Sequence, residues 1–85
     1  MPHTYILYSA KLDKYYIGSS LDKDERLLRH NRGAEKFTST GMPWVIVYFE
    51  EFKTITEARK REYAIKKMKS RKYIESLISK GRRAE

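Results

Sequence analysis

None of the 85 residues is cysteine, which excludes a disulfide framework and any thiolate zinc site. No apolar run is long enough to span a bilayer, and the start of the chain has no signal-peptide hydrophobic stretch. Internal repeats and low-complexity segments are also lacking. These absences lead us to expect a small cytoplasmic protein with no membrane partner. The length suits one domain over 1–85 with a single core and little stability to spare.

Acid is scarce in the second half. Residues 1–52 carry seven Lys/Arg against seven Asp/Glu, whereas residues 53–85 carry twelve against four, so the whole net charge of +8 lies there. A basic segment of this kind is the electrostatic footprint of a polyanion binder. The plainer reading is a solvated helical face.

Thr4–Ser9 and Tyr15–Ser19 read as β-strands joined by a short hairpin loop. An odd-sum register, with Tyr8 opposite Tyr15, puts Tyr5 and Tyr16 on one face as diagonal neighbours. An even-sum register brings Tyr15 beside Tyr5 instead, and the sequence leaves both open. Gly18 marks either a close approach to the backbone or a simple bulge. A helix is expected from Asp22 as N-cap to about Asn31, with Glu25 reaching back, Leu27 and Leu28 inward, and Gly33 as its stop. Arg26 and His30, four apart, share one face of it.

Residues 35–43 read as a polar loop. Trp44–Phe49 is apolar on both alternating faces, which suits a strand covered on both sides or central in its sheet. Thr54-Ile55-Thr56-Glu57 fits a capping box that starts a second helix. Ile55, Ala58, Ile65 and Met68 form its apolar stripe, and Glu62 falls inside that stripe. An inward carboxylate is costly unless paired or coordinated; its plainest explanation is an ion pair with Arg26. Ser70 can cap a third helix that Gly81 stops, leaving 79–85 as a frayed tail. The order is β-β-α-β-α-α, an α+β domain with a small sheet whose first two strands are antiparallel.

Two tyrosines, a guanidinium and an imidazole gathered near one carboxylate are suited to handling a phosphate. Tyr16-Ile17-Gly18, His3-Thr4-Tyr5 before it, Arg26, His30, and Glu62 within A-R-K-R-E-Y-A-I-K-K stand in order along the chain. With M-P-W-V-I-V-Y-F-E-E-F followed by T-E-A, these residues resemble a GIY-YIG nuclease domain in its small stand-alone bacterial form. The resemblance covers nearly the whole chain.

It implies a three-stranded antiparallel sheet flanked by helices. It also implies hydrolysis of DNA phosphodiester bonds with one divalent metal, Mg²⁺ or Mn²⁺, in roles such as DNA repair. On this resemblance Glu62 is the metal ligand and Arg26 clamps the phosphate. Tyr5 or Tyr16 is the base, and His30 relays a proton or hydrogen-bonds a tyrosine. Low sequence specificity is expected, since basic residues from Lys53 onward would hold the nucleic-acid backbone without reading bases. The first alternative is a nucleic-acid-binding module of the same fold with weak or lost catalysis. The second is a small protein-interaction partner.

Overall fold

The computed structural model describes residues 1–84. The strands are β1 (His3–Ser9), β2 (Lys14–Ser20) and β3 (Trp44–Glu51), and the helices are α1 (Lys23–Asn31), α2 (Ile55–Met68) and α3 (Arg71–Ala84). The sheet is antiparallel throughout, in the order β2-β1-β3. The fold is α+β with the order β-β-α-β-α-α, as the sequence suggests. No helix among the described residues is long and apolar enough to cross a membrane.

β1, not β3, is the central strand. Thr4 through Leu7 are all buried, because a strand paired on both sides with helices over both faces has no exposed position. β3 is apolar yet lies at an edge, and Val45 and Phe49 remain half exposed. A bulge between its pairings with Ile6 and Leu7 shifts its register.

Each face of the sheet has its own core. Ile6 and Ile17 pack with Ile65 of α2 and Leu77 of α3 on one side. Tyr5, Leu7 and Trp44 pack with Tyr16 and Leu27 on the other. β1 is tied to α2 by the Thr4 hydroxyl, which donates to the Ala58 carbonyl at 2.6 Å.

Asp22 caps α1, accepting from the amides of Asp24 and Glu25. Gly33 follows in the left-handed region at φ 74°. Leu28 does not face inward; it is 61% exposed, because the apolar side of this short helix is carried by Leu27 and His30. The Thr54–Glu57 capping box forms with both reciprocal hydrogen bonds. Met68, expected inward on α2, is exposed. It is the last residue before the left-handed Lys69, beyond the reach of the sheet.

Ser70 does cap α3, its Oγ accepting from the Tyr73 amide at 3.1 Å. α3 then runs through Gly81 to Ala84, where the sequence had suggested a stop and a frayed tail; Glu85 lies outside the described residues. Gly81 answers a close approach instead. A β-carbon there would stand 2.9 Å from the Tyr48 ring.

Candidate active site

The β1–β2 register is the odd-sum one: Tyr8 pairs with Tyr15, Tyr5 with Gly18 and Leu7 with Tyr16. Tyr5 and Tyr16 therefore share a face as diagonal neighbours. Gly18 has no side chain, and the Tyr5 ring fills the space one would occupy. A β-carbon on Gly18 would lie 2.5 Å from Tyr5 Oη. The central-strand phenol is thereby carried toward the flank of the edge strand β2.

A cleft of about 460 Å³ opens at that flank, with Tyr5, Tyr16, Arg26 and Glu62 in its walls. Four of the five candidate residues thus meet. The fifth, His30, is buried behind them, 1% exposed. Its Nε2 stands 3.5 Å from Tyr5 Oη, and its ring meets Tyr16 edge-on at 5.1 Å between centroids. His30 Nδ1 lies 2.6 Å from Thr38 Oγ1. The Thr38 hydroxyl donates its one proton to the Glu35 carbonyl at 3.2 Å, so it accepts from Nδ1–H. That assigns the imidazole proton to Nδ1 and leaves Nε2 bare toward Tyr5.

Burial lowers the His30 pKa, and the charges of Arg26 and Arg29 act in the same direction against the pull of Glu35. The ring is neutral at pH 7. Burial also drives the Tyr5 hydroxyl well above the ordinary tyrosine range, despite the opposing Arg26 charge. Tyr5 is a protonated phenol here.

Arg26 reaches the cleft from the second turn of α1. Its Nε is buried with no hydrogen-bond partner among the described residues. A guanidinium held without an acceptor is under-satisfied, and a phosphate oxygen is the acceptor that suits it.

Glu62 does not pair with Arg26. Its Oε1 accepts from the Ser19 hydroxyl at 2.5 Å, and its Oε2 pairs with Lys66 Nζ at 2.6 Å. Lys66 lies one turn along α2, so the i,i+4 spacing selects it before any residue of α1. The carboxylate keeps 22% of its side-chain surface exposed, to the cleft.

Among the described residues no three His, Cys, Asp or Glu side chains gather around a metal position. The donor set is one carboxylate beside one hydroxyl in an open cleft. Such a set fits a hard cation that keeps several waters, as Mg²⁺ does.

Ser19, Lys66 and Arg59 also line the cleft and were not singled out from the sequence. Lys66 and Arg59 stand at i+4 and i−3 from Glu62, a spacing that would have found them. Ser19 follows Gly18 on the opposite face of β2, and Thr38 comes from the loop; neither gives a local signal.

A small antiparallel sheet with a tyrosine pair, an unpaired guanidinium and a single carboxylate at one strand edge is the frame of a nuclease-type domain. The chain belongs to the GIY-YIG family, whose catalytic-domain model matches residues 1–74. It is similar to a UPF0213 protein of Staphylococcus saprophyticus, 38% identical over 93% of this chain and 96% of that one. A UPF0213 protein of Clostridium perfringens is 35% identical over 100% of this chain and 91% of its own. A third, of Listeria innocua, is 37% identical over 91% and 86%. No solved structure matches the chain. The family defines a nuclease-type function with DNA as substrate.

Proposed function

We propose that the protein is a metal-dependent endonuclease that hydrolyses DNA phosphodiester bonds with low sequence specificity, in DNA repair or processing in the cytoplasm. The observation that carries this reading is the cleft whose walls bring Arg26, with no ion pair among the described residues, together with Tyr5, Tyr16 and Glu62. Arg26 receives the non-bridging phosphate oxygens, and its charge opposes what builds up on them in the transition state. Glu62 and Ser19 would hold Mg²⁺ or Mn²⁺, which supplies charge neutralisation at the phosphate.

Tyr5 is the tyrosine best placed to take a proton. Its own ionisation is disfavoured by burial, so it works as a relay. The attacking water gives its proton to Tyr5 Oη while the phenol passes its own to His30 Nε2. The 3.5 Å Tyr5–His30 contact is long and must tighten with substrate bound, as catalytic hydrogen bonds commonly do. The proton stays on His30 until turnover; the imidazolium is steadied by its Nδ1–H bond to the Thr38 hydroxyl, by the nearby Glu35 carboxylate and by the incoming phosphate. Tyr16, on the same face, orients the water or the phosphate.

The test is cleavage of supercoiled, branched and single-stranded DNA with Mg²⁺ or Mn²⁺, run beside Glu62→Ala. Cutting that disappears in the variant supports the proposal, and the preferred form gives the role. If neither protein cuts but both bind, the chain is a DNA-binding module of the same fold.

A further inference from the structure

The cleft continues outward along α2 into a second concavity of about 450 Å³, walled by Thr56, Arg59, Lys60 and Tyr63. Arg59 and Tyr63 belong to both hollows. The four residues stand at i, i+3, i+4 and i+7, one stripe of the helix.

Tyr63 is 68% exposed. The chain has seven tyrosines, and the other six are each engaged. Tyr5 and Tyr16 meet His30. Tyr8 and Tyr15 meet each other. Tyr48 donates to Glu50, and Tyr73 accepts from Arg61. Among the described residues Tyr63 alone has neither a hydrogen bond nor an aromatic partner. A surface tyrosine one turn from two cations and beside a phosphate-receiving cleft, with neither a hydrogen bond nor an aromatic partner among the described residues, is free to take a stacked ligand.

We infer that Tyr63, Arg59 and Lys60 form a subsite for an unpaired nucleotide adjoining the bond to be cut. The base stacks on the Tyr63 ring, and Arg59 and Lys60 hold the flanking phosphates. Arg59 and Lys60 make no ion pair among the described residues, so their charge is open to a polyanion. In an intact duplex each base already has stacking neighbours and offers no face to such a ring. The subsite therefore selects DNA with unpaired nucleotides, such as a single strand or a frayed junction. The inference rests on the nuclease reading above and sharpens its substrate.

The test measures binding without cutting. Fluorescein-labelled dT₁₂ and a duplex of the same length are titrated in EDTA with wild type, Tyr63→Ala, Tyr63→Trp and Lys60→Ala. Tyr63→Ala is expected to weaken dT₁₂ binding about tenfold and leave the duplex affinity and salt slope unchanged. Tyr63→Trp should retain dT₁₂ affinity and show indole quenching on binding that wild type lacks. Lys60→Ala should weaken both DNAs and lower the salt slope by about one phosphate contact. Equal loss on both DNAs in Tyr63→Ala, or no loss on dT₁₂, overturns the subsite while leaving the nuclease reading standing. If wild type binds neither DNA, both fall.

Discussion

The Tyr5 ring lies across Gly18, which faces it in the neighbouring strand, and the phenol occupies the volume a β-carbon would take. The glycine of the second motif is thus the seat of the tyrosine of the first. Gly18→Ala should destabilise the fold by about 1–3 kcal/mol through overpacking. In a Tyr5→Ala background the same change should cost much less. A double-mutant cycle from urea unfolding reads the coupling; purely additive costs would refute the contact.

His30 makes stability depend on pH near neutrality. Its folded pKa is lowered by burial, so below the unfolded value of about 6.5 the unfolded chain binds the extra proton first. Its contribution to stability is present above that value and is lost as pH falls toward the folded pKa. Wild type should therefore lose stability as pH drops from 7.5 to 5.5, and His30→Gln should flatten the slope in that window. Unfolding midpoints at a series of pH values check this; an unchanged slope in the variant would count against it.

Lys66 stands where a metal would compete for Glu62. The pair is partly exposed, with Lys66 at 47%, so its net worth is about 0.2–1 kcal/mol. Lys66→Met should raise Mn²⁺ affinity by up to about fivefold, the same energy expressed as a ratio. Glu62→Gln should abolish that binding. Calorimetry in the absence of DNA reads both. If Lys66→Met weakened Mn²⁺ binding, the lysine would be a helper at the site and not a competitor.

Arg61 is a structural cation, unlike its neighbours on α2. It gives two hydrogen bonds to Glu50 of β3, at 2.9 and 3.0 Å, and one to Tyr73 of α3 at 3.3 Å. Burial and the Glu50 bond lift the Tyr48 hydroxyl beside it to about 12. Arg61→Ala should cost about 1.5–3 kcal/mol, the range for hydrogen bonds to charged groups. Affinity for DNA should change little, because this charge is already spent on Glu50. A large fall in affinity with stability intact would reverse that assignment.

The sequence was most legible where the signal is local. Thr54 and Glu57 announce the start of α2 three residues apart, and the helical period alone turns Glu62 inward. The same period also offers Glu62 its partner: Lys66, one turn on, is nearer than Arg26 of α1. The strand register was not legible, because cross-strand partners leave no mark in sequence except the Gly18 cradle. Nothing local distinguishes Thr38 from other loop threonines, so the anchoring of His30 emerges only from the fold. Gly81 misled for a related reason: a glycine that makes room for an aromatic ring looks the same as one that ends a helix.

The sheet order has a consequence for synthesis. Of the three strands of this sheet, the central one is synthesised first, and β2 can cover only one of its edges. Its other edge waits for β3, whose residues follow more than thirty positions after Ser9, a delay of about two to seven seconds at ordinary elongation rates. Through that interval the nascent chain carries an open ladder of backbone donors and acceptors on the strand that the finished fold buries most deeply. A product truncated before Trp44 would keep that ladder permanently, and insolubility is its expected fate.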